Sequence, residues 1–178
     1  MFASDKSFNN IKVHTQYSIC EGAVKIDELA EHCKTNKIKA IGLADSFNLC
    51  GALEFSEKIS KVGTHPIIGS QINLKAGGTI GKVTLYAKTN QGYKNLTKLS
   101  SLSYLKSNEN EEPACEINDL VSNNHDLILL TGNQRDFFGK LFYENKINIF
   151  NEIINELKKN FENRIYFEVQ RHNEIDEK

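Results

Sequence analysis

The stretch "KAIGLADSFNLCGALEFSEKISKVGTHPIIGSQINL", from Lys39 to Leu74, decides the fold class. It opens with the short apolar run "KAIGLAD", which is typical of a strand buried on both faces. "LCGALEFSEKISKV" predicts a helix, and Gly63 ends that helix at the C′ position. The residues expected near one face of this helix are Leu49, Ala52, Leu53, Ser56, Ile59 and Val62. "HPIIGSQINL" then predicts another strand, entered through Pro66. A strand, a helix and a strand in this order predict a βα unit with parallel strands.

The same alternation continues on both sides of this stretch. We predict further strands in "NIKVHT", "KVTLYAK", "HDLILLTG" and "RIYFEVQ". Helices are predicted over residues 24–35 and in "NQGYKNLTKLSSLSYL", "DFFGKLFYE" and "INIFNEIINELKKNF", with a turn at "AGGTIG". Segment 106–116, "KSNENEEPACE", is acidic and poor in apolar residues, so we predict a mobile loop there. The resulting expectation is a single α/β domain over residues 1–178 around a parallel sheet.

The composition sets limits on the function. Hydrophobic residues make up 39% and charged residues 25% of the 178 residues, as in ordinary soluble domains. There is no run of about 18 apolar residues, and the start "MFASDKSFNN" lacks the apolar stretch of a secretory signal, so we expect a cytoplasmic protein. The four cysteines form no C-x-x-C pair, which favours reduced thiols. A net charge of -1 predicts no long-range attraction to a phosphate backbone, so any grip on nucleic acid would lie outside this segment.

Several polar side chains stand at predicted strand ends. Because the carboxyl ends of parallel strands meet at one edge of a sheet, we expect these side chains to converge. They are His14, Asp45, Ser46, Gln71, residues 131–133 and residues 168–172. A metal site needs several histidines and carboxylates, and this edge offers His14, Asp45 and the nearby Glu21.

Each of these three residues also has an ordinary structural interpretation. His14 is equally suited to a structural hydrogen bond, Asp45 to capping a helix or organising a turn, and Glu21 to a solvated position near a helix N-terminus. The sequence contains no P-loop, no G-x-S-x-G and no H-E-x-x-H. The residues alone therefore leave a metal site and a structural cluster as alternatives.

Several blocks of the sequence closely resemble one known family. "VHTQYSICEGAVKIDEL", "IGLADSFNLCGALEF", "HPIIGSQINL", "YAKTNQGYKNLTKLSSL" and "YFEVQRH" occur in the same order as in the N-terminal PHP domain (polymerase and histidinol phosphatase) of bacterial DNA polymerase III alpha subunits. The resemblance covers almost all of residues 9–174. It implies a distorted (β/α)7 barrel that is incomplete at the C-terminus of this chain, which stops just after a predicted strand without a closing helix. We accordingly expect either the N-terminal part of a longer polymerase chain or a truncated reading frame.

The resemblance also implies that the metal site of the family has degenerated here. His14 keeps the second histidine of the first-strand H-x-H, whereas Lys12 stands at the first. Glu21 is the acid of the following turn, where the family has an Asp, and the second-strand T-D-H has become Ala44-Asp45-Ser46. The later Glu, His and Cys positions carry Gln71, Lys82 and Asn133, and the final Asp and His ligands would lie beyond Lys178.

Of the matched positions, His14 and Glu21 are the remaining candidate metal ligands. A lysine ammonium about 4 Å from a divalent cation would be repelled by roughly 8 kcal/mol at an effective dielectric of about 20. We therefore predict that Lys12 replaces the charge of the metal and pairs with Glu21 or Asp45, because a buried cation needs such a partner.

The favoured function is non-catalytic. In relatives whose metal site has decayed, the family implies a structural domain that docks the proofreading exonuclease subunit of the replisome. The parent chain would be a DNA-directed DNA polymerase that holds magnesium and DNA in other domains, while this segment would hold no cofactor. A PHP-type metal-dependent phosphoesterase or 3′ exonuclease is the alternative, and a free-standing binding module is a third hypothesis.

Overall fold

The computed structural model describes residues 8–108 and 110–170. Its elements follow the chain in this order: α1 (Ile26–Thr35), β1 (Ala40–Ser46), α2 (Ala52–Lys61), β2 (His65–Ala76), β3 (Thr79–Ala87), α3 (Asn90–Leu105), β4 (Ala114–Glu116), α4 (Ile117–Ser122), β5 (Leu127–Leu130), α5 (Phe137–Tyr143), α6 (Ile147–Phe161), a 3₁₀ turn (Glu162–Arg164) and β6 (Ile165–Tyr166). The strands run in the order β1-β2-β3-β5-β6, and β4 pairs with β2. The fold is thus mixed α/β, with an open sheet of six described strands.

The chain divides into two compact units, Met1–Ser70 and Gln71–Lys178, and passes from one to the other within β2. In the first unit, α1 and α2 pack against each other. The spacing predicted for α1 is confirmed, because Ile26, Leu29, Ala30 and Cys33 are all buried. The core of this unit consists of buried residues from both helices, from β1 and from the segment before α1: Val13, Ile26, Leu29, Ala30, Cys33, Ile41, Leu43, Ala52, Phe55 and Ile59.

Two sequence predictions in the first unit need correction. The segment "NIKVHT" forms no extended strand. It makes isolated parallel bridges, Val13 with Leu43 of β1 and Thr15 with Val24. The buried face of α2 consists of Ala52, Phe55 and Ile59, so Leu53, expected on that face, is 72% exposed. Packing against α1 sets the orientation of this short helix, and apolar spacing alone does not fix it.

The second unit contains a reversal that the parallel interpretation did not foresee. β2 and β3 are neighbours joined only by Gly77 and Gly78, whose φ angles are 56° and 76°. A two-residue connection cannot carry a crossover, so the pair is a β-hairpin. β3 consequently runs antiparallel to β5, with Thr84 opposite Leu130, whereas β5 and β6 are parallel. The expectation of a parallel sheet throughout is therefore wrong.

Other boundaries in the second unit agree with the sequence prediction or refine it. α3 and α6 have the predicted residues as their bounds, and the turn at the two glycines is confirmed. The last residues of the predicted loop, Ala114–Glu116, form β4, which pairs in parallel with β2 through Asn73 and Ala114. The final predicted strand is shorter than expected, since β6 comprises Ile165–Tyr166. The position of His172 lies outside the described residues.

Candidate functional site

Asp45, near the end of β1, is the centre of a hydrogen-bonded cluster in the first unit. Its carboxylate is completely buried, with 0% exposure. Oδ1 accepts hydrogen bonds from the backbone N of Thr15 at 2.6 Å and from Ser18 Oγ at 2.7 Å, and Oδ2 accepts one from Thr15 Oγ1 at 2.7 Å. A buried anion is tolerated only where such donors replace water. The cluster therefore joins the segment after Val13 to the end of β1.

Ser18 and His14 extend this cluster, but they do not form a catalytic triad. His14 Nδ1 lies 3.4 Å from Ser18 Oγ, while the Ser18 hydroxyl donates its hydrogen bond to Asp45. In a nucleophilic triad the imidazole stands between the carboxylate and the hydroxyl. Here the hydroxyl stands between them, and Ser18 is fully buried. The arrangement is that of a structural hydrogen-bond chain.

Glu21 and Ser46 form the outer part of the cluster. Ser46 Oγ donates to Glu21 Oε2 at 2.5 Å, and the backbone N of Ser46 donates to Ser18 Oγ at 3.1 Å. Ser46 occupies the position at which the resemblance implies a metal-binding histidine. Its hydroxyl instead donates a hydrogen bond to Glu21, which was itself a candidate metal ligand. We call His14, Thr15, Ser18, Glu21, Asp45 and Ser46 the hydroxyl–carboxylate cluster.

The backbone around the cluster is tightly constrained. Cys20 and Phe47, which adjoin Glu21 and Ser46, both have φ angles of 64°, a conformation uncommon for residues with a side chain. A Cβ atom at Gly22 would lie 2.0 Å from the carbonyl oxygen of Thr15, so only glycine fits there. Hydrogen bonds from Glu21 N and Gly22 N to the Ser18 carbonyl close the turn at 3.0 and 2.9 Å. The loop after His14 is thus held by side chains and backbone together.

Tyr17 connects the same loop to both helices of the first unit. Its hydroxyl donates to Glu54 Oε2 at 2.7 Å, and Lys58 bridges Glu54 at 2.8 Å and Asp27 of α1 at 2.5 Å. The hydrogen bond from Lys58, followed by that from Tyr17, lowers the pKa of Glu54. Asp27 and then Glu54 raise the pKa of Lys58, and Glu54 raises that of Tyr17. Sequence analysis missed this network, although the i,i+4 spacing of Glu54 and Lys58 signals one of its contacts.

The remaining predicted positions belong to the second unit and have their own contacts. Gln71 is buried within β2, well before the end of that strand, and its Nε2 lies 3.3 Å from Thr84 Oγ1. Lys82 is half-buried within β3. Asn133 organises the turn before α5, since its Oδ1 accepts from Arg135 N at 2.7 Å. The expectation that Gln71 stands at a strand end is therefore wrong, because the hairpin extends β2 to Ala76.

The predicted pairing of Lys12 has two possible partners. The carboxylate of Asp45 is satisfied by the hydroxyl and amide protons of Thr15 and Ser18, so neutralisation by a lysine is not needed there. Lys12 itself is half-buried, and its backbone N lies 3.3 Å from Asn10 Oδ1. Pairing of Lys12 with Glu21 or Asp45 stays a prediction.

The donor set of the cluster does not fit the metal that the family implies. The described residues contain no group of three or more His, Cys, Asp or Glu side chains that could hold a metal ion. The carboxylate of Asp45 already accepts three hydrogen bonds, and one oxygen of Glu21 accepts a hydrogen bond from the Ser46 hydroxyl. A metal ligand must present its lone pairs to the ion. Both carboxylates accept hydrogen bonds from hydroxyl or amide groups, and in the described part of the chain they are not joined by enough such side chains to form a set of three.

Comparison with known proteins gives consistent relationships. Residues 10–172 match the PHP domain family. The chain is 35% identical to the DNA polymerase III subunit alpha of Caulobacter vibrioides in an alignment that covers 96% of this chain and 16% of that protein. It is 30% identical to the DNA polymerase III subunit alpha of Vibrio cholerae over 98% of this chain and 15% of that protein.

The described helices and solved structures add little to this result. Within the described residues, no helix is both long and apolar enough to span a membrane. A putative metal-dependent phosphoesterase from Bifidobacterium adolescentis aligns over 55% of this chain and 33% of its own, with 15% identity and a TM-score of 0.44. The chain spans about one sixth of the length of the polymerase subunits that it resembles. On the match over residues 10–172, this chain belongs to the PHP domain family.

Proposed function

We propose that this chain is the N-terminal PHP domain of a replicative DNA polymerase III alpha subunit. Similarity over 96% of the chain to 16% of a polymerase subunit supports a role as one domain of a longer protein. The parent chain would be a DNA-directed DNA polymerase of the cytoplasm, with its magnesium and its grip on DNA in other domains. In this proposal, the domain is a distorted (β/α)7 barrel.

Within that chain, the domain is proposed to have no catalytic role and to dock the proofreading exonuclease subunit. The absence of a catalytic role is inferred from the buried carboxylate of Asp45, which accepts three hydrogen bonds from the protein. Metal-dependent hydrolysis needs an ion that activates water, and the residues of the cluster bind one another instead. The cluster then acts as a structural clamp between β1 and the loop after His14.

The alternative is a PHP-type phosphoesterase or 3′ exonuclease. It depends on the same residues in the opposite role, with His14 and Glu21 as ligands. Against this alternative, the described residues contain no group of three or more His, Cys, Asp or Glu side chains that could hold the ion, and the hydroxyl of Ser46 is bonded to Glu21 where the alternative needs a histidine ligand.

The size of the native product is the first test. An antibody raised to residues 8–108 is expected to detect a polypeptide several-fold larger than the 20.2 kDa of this chain. A band at 20.2 kDa would refute the polymerase assignment. The purified native protein, freed of exonuclease subunit, is then assayed for phosphodiester hydrolysis with manganese or zinc, alongside His14→Ala. We expect no hydrolysis that depends on His14, and activity abolished by His14→Ala would establish the alternative.

A further inference from the structure

One helix of the second unit carries positive charge without any negative charge. α3 comprises 16 residues, which include Lys94 and Lys98 but no aspartate or glutamate. The other described helices of ten or more residues, α1, α2 and α6, each contain at least two carboxylates. The whole of residues 58–108 lacks aspartate and glutamate, although the chain has 23 of these residues. The net charge of -1 therefore conceals a segregation of charge along the chain.

Both lysines lie on the outward side of α3. The helix packs against β3, β4, β5 and α4. Its inner side consists of four buried residues, Gly92, Leu96, Leu99 and Ser103. At 3.6 residues per turn, Lys94 and Lys98 stand opposite this inner side, and both are exposed. Gln91 and Ser101 are exposed on the same line of the helix. The two lysines are about 6 Å apart along the helix axis, so each ammonium group can reach a separate anion.

The stability of the helix does not explain these two lysines. A lysine stabilises a helix in its last turn, near the negative end of the helix dipole. The lysines of α1, α2 and α6 lie in the last turn, whereas the last turn of α3 has no basic residue. Lys94 and Lys98 lie in the interior of the helix, and because they are four residues apart their charges repel each other. A bound anion would offset this repulsion.

The carboxylates of neighbouring segments lie at the two ends of α3 and have partners of their own. At the N-terminal end, Asp126 accepts a hydrogen bond from Thr89 Oγ1 at 2.6 Å. At the C-terminal end, Asp119 binds Lys106 at 2.6 Å, and the side chain of Glu116 caps α4. In the described part of the chain, neither lysine of the α3 surface takes part in a salt bridge. The positive charge at the middle of α3 is therefore not neutralised there.

The other residues on the outward line indicate which kind of anion fits. From Gln91 to Ser101 this line carries no large apolar residue, whereas a protein–protein interface usually has an apolar centre. It carries no aromatic ring, whereas single-stranded nucleic acid is commonly bound by stacking on such rings. The hydroxyls of Thr97 and Ser101 donate to the carbonyl oxygens of Tyr93 and Thr97 at 2.9 and 3.0 Å, so their protons are not offered to base edges. Two point charges on a polar surface suit the phosphate backbone of a duplex.

We propose that Lys94 and Lys98 contact the phosphate backbone of duplex DNA that the parent chain holds. The inference rests on the polymerase function proposed above, in which other domains bind the DNA, and it adds α3 as a further contact. Because the chain as a whole is nearly neutral, the contact acts at short range and does not attract DNA from a distance. The contact is independent of sequence, since phosphate groups carry no information about the bases.

The test measures the affinity of the full native chain for a primer–template duplex by fluorescence anisotropy, at salt concentrations from about 50 to 200 mM. The logarithm of the association constant falls with the logarithm of the salt concentration by about 0.9 for each phosphate neutralised. The double variant Lys94→Gln/Lys98→Gln is therefore expected to make this slope shallower by about 1.8. The excess of its Kd over that of the wild type should accordingly shrink about tenfold across the range.

Two further variants separate the charge of α3 from other effects. Lys94→Arg/Lys98→Arg keeps both charges and should keep the slope of the wild type. Lys158→Gln/Lys159→Gln is the matched control, since it also removes two exposed lysines from a helix of the second unit, but from one that contains carboxylates. It should leave the slope unchanged. Glutamine and lysine have similar helix propensities, so neither glutamine variant should unfold its helix.

The outcomes separate this inference from the polymerase function itself. An unchanged slope in Lys94→Gln/Lys98→Gln, or an equal change in the control, would overturn the inference while the polymerase function stands. A wild-type chain that binds no primer–template would remove both. Lysine acetylation of the wild-type chain, followed by mass spectrometry, covers the case of a misfolded variant, because Lys94 and Lys98 should be protected only when DNA is added. Protection already present in the free full chain would mean that an acidic protein surface covers α3, and the inference would be wrong.

Discussion

The substitution Asp45→Asn tests whether the hydroxyl–carboxylate cluster is a structural clamp. The change keeps the shape of the side chain but removes its charge and turns one acceptor into a donor. The carboxylate accepts three hydrogen bonds. Hydrogen bonds to charged groups contribute about 1.5–3 kcal/mol each, against about 0.5–1.5 kcal/mol for hydrogen bonds between neutral groups. The Thr15 hydroxyl loses its acceptor, and the other two bonds weaken. Part of this loss is offset because a neutral amide is less costly to bury.

We expect Asp45→Asn to lower the free energy of unfolding by about 2–3 kcal/mol, a large fraction of the roughly 5–15 kcal/mol typical of a domain. Urea denaturation followed by circular dichroism gives this value from the shift in midpoint. Asp27→Asn is the matched control, because that carboxylate is 77% exposed and its pairing with Lys58 is a surface contact. Equal midpoint shifts in the two variants would refute the clamp, as would an unchanged midpoint for Asp45→Asn.

Three further predictions follow from contacts elsewhere in the chain. Burial raises the pKa of the Cys115 thiol to about 12. A thiol reagent at pH 8 should therefore modify the exposed Cys20 and Cys50 long before Cys115, and equal rates of modification at the three thiols would contradict this. The pKa of Glu54 is lowered below its ordinary value of 4.5, so its stabilisation is present above that value and lost as the pH falls through the folded pKa. The urea midpoints of wild type and Glu54→Gln should therefore converge in acid, and a constant gap would refute this assignment. Gly42→Ala, in β1, should destabilise the chain by about 2 kcal/mol or more in thermal unfolding, because the added Cβ would lie 2.0 Å from the carbonyl oxygen of Ile11. An unchanged Tm would show that the backbone at Ile11 moves away from β1 readily.

The hydroxyl–carboxylate cluster joins chain segments and can be compared in this respect with a metal site. A divalent ion joins several chain segments by attracting their ligands to one point. Here Asp45 supplies the central charge, and Thr15 and Ser18 supply the protons that surround it. At Ser46, where the resemblance implies a histidine ligand, the hydroxyl donates a hydrogen bond to Glu21. The centre of this cluster carries the charge opposite to that of a metal ion.

The sequence by itself determined the local elements and the family. Periodicity placed α3 and α6 at their observed bounds, because long helices repeat the same spacing over several turns. It also identified the buried residues of α1 and the turn at Gly77 and Gly78. The same two glycines are typical of a hairpin turn, but the assumption of uniform βα units led to the prediction of parallel strands there. The ordered blocks from Val13 onwards were sufficient to identify the PHP family.

Only the tertiary structure decided the strand directions and the contacts of the cluster. The reversal of β3 changes which residues stand at strand ends, and it places Gln71 in the middle of a strand. Asp45 is separated by 30 residues from Thr15 and by 27 from Ser18, and no periodicity links positions so far apart. A hydroxyl carries no signature of its partner in the sequence, since serine and threonine occur throughout the surface and the loops. Their role follows from the parallel pairing of Val13 with β1, which brings the loop and the carboxylate together in space.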